Sequence, residues 1–169
     1  YKNSVAGYSG GAIYADDNNV LISLTNTKFI KNSAGWDGGA VYLMSGTLNS
    51  HNVQYIQNNA GSSGGGLDLN TVKPSTISNN LFISNEAEKL GGGIRIYGDT
   101  SNPSTVNLTQ TLFKHNKQTE GSHGSHGGGG LYIHQNVIIS IRECTFLENV
   151  ANSNNGHQIM TSNSSSGTP

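Results

Sequence analysis

Long hydrophobic runs, charge and cysteine are all scarce in this chain of 169 residues. No apolar run approaches the roughly 18 residues of a membrane-spanning helix, so the sequence predicts no membrane span. Only 11% of the residues are charged and the formal net charge is −1, which leaves no electrostatic argument for nucleic acid as a partner. The single cysteine, Cys144, excludes an internal disulfide framework.

Glycine and asparagine are abundant instead, with 23 and 22 copies. A low charge combined with many small polar residues is also typical of disordered linkers. The apolar residues of this chain argue for a folded protein, because they recur at regular intervals and not at random.

One recurring motif is a glycine pair followed by alternating apolar residues. Its six copies, the last of them degenerate, are residues 10–15, 38–43, 64–69, 91–96, 128–133 and 156–161. Successive copies start 28, 26, 27, 37 and 28 residues apart. Repetition at a nearly constant period of this length is typical of stacked structural units.

A second motif, an aromatic residue followed three positions later by asparagine, recurs with the same period as the first. The aromatic positions are Phe29, Tyr55, Phe82, Phe113 and Phe146, and the asparagines are Asn32, Asn58, Asn85, Asn116 and Asn149. We expect the aromatic residues to stack in the core. We expect the asparagines to stack at a corner, where their amides bond to buried backbone groups and to each other.

The spacing predicts three short strands in each repeat of about 27 residues, with no helical periodicity between them. In the first strand the inward positions are Ile13, Val41, Leu67, Ile94, Leu131 and Ile159, followed two residues later by Ala15, Leu43, Leu69, Ile96, Ile133 and Thr161. The predicted fold class is therefore all-β, a parallel β-helix (solenoid) of about six rungs. We assign residues 1–160 to one solenoid domain and 161–169 to a serine-rich tail or linker.

The paired Gly-Gly-Ala-Ile and Phe-x-x-Asn motifs resemble the repeats of the chlamydial polymorphic outer membrane proteins and related extracellular β-helix proteins. The resemblance covers nearly the whole chain. It implies a right-handed β-helix and a secreted or surface-exposed passenger, often an adhesin. The expected location of the protein is therefore extracellular or on the cell surface.

The outward face of the first strand carries aromatic rings beside polar groups, a combination that suits sugars. The candidate glycan contacts are Tyr14, Tyr42, Asp68, Arg95, Tyr97, Tyr132 and His134. An alternative is a polysaccharide lyase or epimerase, which needs a base, a group that neutralises a carboxylate, and an acid. Its candidate catalytic residues are Asp68, Arg95, Tyr97, Tyr132 and His134. The simpler interpretation of Asp68 and Arg95 is a cross-strand ion pair worth about 0.2–1 kcal/mol.

Other features of the sequence point to loops and contacts. Insertions lengthen the fourth repeat at residues 97–103 and 117–127, and the second contains His123 and His126, a weak candidate for a metal site. An outward row of Ile30, Ile56 and Ile83 is expected to form either a contact surface or a patch covered by a loop.

Two sequons, at Asn107 and Asn163, are candidate glycosylation sites if the protein is secreted by a eukaryote.

Together these features favour a structural or adhesive module on the cell surface. We expect further solenoid rungs or copies of the same chain as partners, with end-to-end assembly into a fibre. A host surface or a polysaccharide is a second class of expected partner. The sequence predicts no cofactor.

Overall fold

The computed structural model describes residues 1–121, 126–153 and 155–161. All regular structure in these ranges is β, and every strand pairs in parallel with the equivalent strand of the next repeat. The strands stack as a β-solenoid of about five turns. The predicted fold class is confirmed. Within the described ranges, no helix has the length and apolar character needed to cross a membrane.

Four sheets run along the solenoid, and we name each by its position in the repeat. The glycine-led sheet follows the glycine motif and contains Ile13–Asp16, Val41–Met44, Leu67–Asn70, Ile94–Tyr97, Leu131–Ile133 and Ile159–Thr161. The second sheet contains Leu21–Thr25, Thr47–His51, Ser75–Ser78, Ser104–Thr109 and Val137–Arg142. The aromatic sheet contains Lys28–Ile30, Gln54–Ile56, Leu81–Ile83, Leu112–Lys114 and Thr145–Leu147.

The fourth, short-strand sheet was not predicted from the sequence. Its strands are Val5–Ala6, Ser33–Ala34, Asn59–Ala60, Glu86–Ala87, Lys117–Gln118 and Val150–Ala151. Each has two residues and begins directly after the asparagine position of the repeat. Two residues are too few for an alternating pattern to be recognised, which is why three strands per rung were expected and four are present.

The core of the solenoid is built from columns of equivalent residues. The predicted inward positions of the glycine-led sheet are buried in the middle rungs, as Val41, Leu67 and Ile94 show. The register places them directly above one another, with Leu67 paired to both Val41 and Ile94. Each buried side chain therefore packs against its own counterpart one rung away, about 4.8 Å along the axis.

The aromatic residues form one continuous stack, as predicted. Ring centroids of successive members lie 4.4–5.2 Å apart, and interplanar angles stay at or below 13°. Phe29, Tyr55, Phe82 and Phe113 are fully buried, and Phe146 is half-buried in the last rung. Tyr1 extends the stack, with its ring centroid 5.1 Å from that of Phe29.

The asparagine column is equally regular. Asn32, Asn58, Asn85, Asn116 and Asn149 are all buried. The Asn85 Oδ1 atom accepts hydrogen bonds from the backbone N–H of Asn58 at 3.0 Å and from its Nδ2 at 2.9 Å. The Asn85 Nδ2 atom donates to the Tyr55 carbonyl at 2.9 Å. Each amide thus satisfies buried backbone groups of the neighbouring rung, which is the arrangement expected from the sequence.

The glycine motif forms a corner that excludes side chains. Gly38 has a φ of +68°, a left-handed conformation that glycine adopts at little cost. A Cβ atom on Gly39 would lie 2.1 Å from the Gly65 carbonyl oxygen of the next rung. Close stacking of backbone on backbone therefore requires glycine at this corner, and it fixes the start of every strand in the glycine-led sheet.

Candidate functional site

The outward side of the glycine-led sheet brings the predicted glycan contacts into two rows. The strand register aligns Tyr14, Tyr42, Asp68, Arg95, Tyr132 and Met160 in the first row. Asn70 and Tyr97 are paired in the second row, and His134 follows the next strand with its ring 4.2 Å from that of Tyr97. The predicted residues therefore share one face of the solenoid.

Asp68 and Arg95 form a buried ion pair at the centre of this face. Arg95 Nε donates to Asp68 Oδ2 at 2.6 Å, and Arg95 Nη2 donates to Asp68 Oδ1 at 2.9 Å. The Asp68 side chain is completely buried, and that of Arg95 is 12% exposed. A second carboxylate, Asp37, lies 3.6 Å from Arg95 Nη2. The pair is thus two-pronged and desolvated, unlike the exposed cross-strand pair for which 0.2–1 kcal/mol is appropriate.

Burial dominates the electrostatics of this cluster. It raises the pKa of Asp68 to about 7, against the lowering effect of the Arg95 guanidinium, and Asp37 adds to the rise. Burial by itself would lower the pKa of Arg95, but Asp68 and Asp37 together outweigh it, so the pKa of Arg95 is raised. Burial also raises the pKa of the Tyr42 hydroxyl. The sequence does not reveal this enclosure, because it depends on the side chains of three adjacent rungs.

The face is not evenly accessible. Tyr42 and Tyr132 are buried, whereas Tyr14 is 57% exposed and stacks on Tyr42 with ring centroids 5.4 Å apart. Tyr97 and His134 are half-buried, and His134 Nδ1 lies 3.1 Å from the Gly98 carbonyl oxygen. A general acid or base must reach its substrate within hydrogen-bond distance. Asp68 has no exposed surface, so it cannot contact a substrate in this conformation. The catalytic roles assigned from the sequence stay predictions.

A polar groove on the second sheet was not predicted. It encloses about 570 Å³ and is lined by Thr76, Ser78, Asn107, Thr109, Ser140 and Arg142. Asn107 points outward, as the sequence predicted, and the groove places its sequon among hydroxyl groups. The signal that was overlooked is the run of polar residues at alternate positions in three consecutive strands, which marks their solvent face.

A smaller cavity lies beside the chain's single tryptophan, at the corner that follows the short-strand sheet. It encloses about 200 Å³ and is lined by Gly35, Trp36, Gly61, Ser62 and Lys89. Trp36 is 60% exposed, and its ring lies 6.3 Å from that of Tyr8, which is 76% exposed. Both aromatic residues stand four positions after the asparagine position of their repeats, an alignment that the sequence already contains.

The histidines of the fourth rung are spread out and do not converge. His126 Nδ1 lies 3.5 Å from Glu120 Oε2, and His115 Nε2 lies 3.1 Å from Glu148 Oε2. His123, the other weak metal candidate, lies outside the described residues. Among those that are described, no three His, Cys, Asp or Glu side chains are close enough to hold a metal ion.

Two further predictions concern the surface. Ile30, Ile56 and Ile83 are in register on the outer side of the aromatic sheet and are half-buried. Asn163, the second candidate glycosylation site, lies outside the described residues, as does the chain after Thr161.

Comparisons with family models, curated proteins and solved structures found no match for this chain.

Proposed function

We propose that this chain is a structural and adhesive module on the cell surface or outside the cell, and that its solenoid is extended by further rungs or by copies of itself. The observation that carries the proposal is the contrast between the middle and the outermost rungs. The middle rungs bury their apolar columns and satisfy their polar ones. In the last rung, by contrast, Phe146 is half-buried and the inward Ile141 is 37% exposed.

The exposed apolar side chains support a contact at these rungs. Apart from Trp36, the large apolar side chains exposed among the described residues lie within 1–32 or 134–161: Tyr1, Val5, Tyr8, Tyr14, Leu21, Ile138, Ile141, Leu147 and Val150. In the second sheet the edge strands are Leu21–Thr25 and Val137–Arg142. An unpaired strand edge is a template for another strand, so these edges favour pairing with a further rung.

The resemblance to the polymorphic outer membrane proteins supports the same role. Those repeats form surface-exposed passengers, and the present chain carries motifs that resemble theirs on a β-solenoid. A rigid rod of stacked rungs displays its outer faces at fixed spacing, which suits adhesion. The buried Asp68–Arg95 pair favours a binding role over turnover, because the central acidic group of the face is occupied by a structural partner.

Light scattering over a concentration series tests the assembly. The parent chain is expected to form larger species as its concentration rises. Ile141→Lys places a charge on the inward side of the edge strand Val137–Arg142 and is expected to reduce association. Ile138→Lys is the matched control, because Ile138 lies on the lateral face of the same strand. A parent chain that stays monomeric throughout would overturn the proposal.

Glycan binding is a second candidate function, favoured by the exposed Tyr14 ring stacked on Tyr42. Tyr14 Oη donates to Asp16 Oδ2 at 3.3 Å, so an aromatic surface lies beside a carboxylate. A glycan array with the parent chain and Tyr14→Ala tests this function. Loss of a bound glycan in the variant would support it, and an array without any hit would remove it.

Incubation with uronate polysaccharides, with and without calcium, tests the enzyme alternative. We expect no new double-bond absorbance and no epimerised sugar. Turnover that is abolished by Arg95→Ala or His134→Ala would instead establish catalysis.

A further inference from the structure

We propose that the corner around Trp36 is a saccharide-binding site, in which a pyranose ring packs against the indole and its polar groups bond to Ser62 and Lys89. The inference deepens the proposed adhesive function by naming a ligand class, and it concerns a site that neither sequence motif indicates.

The backbone places four side chains in one column on the surface. Trp36 N donates to the Tyr8 carbonyl at 3.2 Å, and Ser62 N donates to the Trp36 carbonyl at 2.9 Å. Lys89 N donates to the Ser62 carbonyl at 2.7 Å. Tyr8, Trp36, Ser62 and Lys89 are therefore equivalent residues of four successive rungs. Three rung spacings of about 4.8 Å extend the column over roughly 14 Å, which suits a short oligosaccharide.

Glycine forms the floor of the site. A Cβ atom on Gly35 would lie 2.3 Å from the Gly7 carbonyl oxygen, and one on Gly61 would lie 2.4 Å from that of Gly35. Because backbone stacks on backbone here, no side chain rises beside Tyr8, Trp36 and Ser62, and in the rung of Lys89 the equivalent residue is the exposed Glu88. The Trp36 indole therefore borders an open cavity of about 200 Å³. Sites for drug-sized ligands hold roughly 300–1,000 Å³, so this one suits a single ring.

The fold makes little use of Trp36. It is 60% exposed, and its ring lies against that of the still more exposed Tyr8, at a tilt of 42°. Equivalent positions in the next two rungs are Ser62 and Lys89, so the corner does not require an aromatic residue. An exposed indole next to a cavity favours a sugar-binding site, because an aromatic ring offers an apolar face to the C–H groups of a sugar.

The polar groups complete the chemistry of a sugar site. Ser62 and Lys89 line the cavity. The Ser62 hydroxyl, which lies 3.3 Å from Ser63 Oγ, can donate and accept, and the Lys89 ammonium can donate three hydrogen bonds. Lys89 is exposed, and in the described part of the chain its ammonium forms no ion pair. It is therefore available to a ring hydroxyl or to the carboxylate of a uronic acid.

Tryptophan fluorescence gives a selective test, because Trp36 is the chain's single tryptophan. The probes are soluble hexasaccharides of glucose, N-acetylglucosamine and a uronic acid, each titrated to millimolar concentration at a protein concentration where light scattering shows no association. We expect a saturable shift or quench of the emission with at least one probe. Preference for the uronate would assign Lys89 to a carboxylate, and preference for a neutral sugar would assign it to a hydroxyl.

Variants measured by titration calorimetry locate the site. Trp36→Ala is expected to weaken binding by about tenfold or more, and Lys89→Ala by a smaller factor. Ile138→Ala, which changes an exposed apolar residue on the second sheet, is the matched control and should bind as the parent does. Tyr14→Ala is measured as well, to test the alternative site on the glycine-led sheet. Circular dichroism on heating checks that the exposed substitutions leave the fold intact.

Two outcomes would overturn the inference. One is an emission spectrum that no probe changes. The other is saccharide binding that Trp36→Ala leaves intact and Tyr14→Ala removes, which would place the site on the glycine-led sheet. Neither bears on assembly, so the adhesive proposal and this one fail separately.

Discussion

Two columns of the solenoid stand four residues apart in every repeat and differ in almost every respect. The asparagine column carries the same residue in five rungs, all of them buried. The column four positions later carries Trp36, Ser62, Lys89, Glu120 and Ser153 in the same rungs, all at least partly accessible. A buried column is constrained because each member must match the rung on either side. The outer column has no such constraint, so its residue types differ from rung to rung, and Trp36 and Lys89 are exposed.

The largest expected loss of stability comes from a substitution in the middle of an inner column. Phe82→Ala removes a fully buried ring that stacks on Tyr55 and Phe113, and it should lower the free energy of unfolding by about 3–5 kcal/mol. Trp36→Ala, the outer counterpart, should change it by less than about 0.5 kcal/mol. Urea unfolding of both variants measures the difference. Equal losses would show that the outer aromatic is part of the scaffold.

Asp68→Ala tests whether an outward-facing position has become part of the interior. It leaves Arg95 without its two-pronged partner, and breaking a buried ion pair generally costs about 3–5 kcal/mol. We expect the lower part of that range, because Asp37 still lies 3.6 Å from the guanidinium. Asp16→Ala, on an exposed position of the same sheet, is the control. A loss below about 0.5 kcal/mol at Asp68 would contradict the enclosed geometry.

Asn85→Ala tests how much the buried asparagine column contributes to stability. It removes an acceptor for two groups of Asn58 and a donor to the Tyr55 carbonyl, and unsatisfied buried groups cost about 1–3 kcal/mol. Asn59→Ala changes an exposed asparagine one rung earlier and should be nearly neutral. Unchanged thermal unfolding of Asn85→Ala, together with loss of ligand binding, would reverse the structural assignment.

The last expected effect is a dependence of stability on pH. Burial raises the pKa of Asp68 from 3.8 to about 7, so between these values the native protein binds a proton there that the unfolded chain does not. The contribution of Asp68 to the free energy of unfolding therefore falls as pH rises from about 4 to about 7. Asp68→Asn removes this slope. Urea midpoints of parent and variant between pH 4 and pH 8 measure it, and a slope of opposite sign would show that Arg95 outweighs burial.

The sequence predicted the inner columns because they are periodic. Phe82 and Asn85 occupy the same positions as their counterparts in the other repeats, so an alignment of the repeats identified both as structural. The alternating polar residues, among them Thr76, Asn107 and Ser140, mark the solvent face of the second sheet, but their sequence does not show that this face forms a groove. The short-strand sheet escaped prediction because two residues carry no readable alternation.

The sequence by itself determined the parallel stacking, the aromatic and asparagine columns and the glycine corners. Each of these repeats a residue type that meets its own copy one rung away, so period and spacing are sufficient to reveal it. Only the tertiary structure decided which outward residues are accessible. Asp68 and Trp36 both lie outside the core columns. Asp68 is nevertheless enclosed by Arg95, whereas Trp36 lies beside glycine residues and is exposed. Accessibility depends on the unlike side chains of neighbouring rungs, which no repeat pattern specifies.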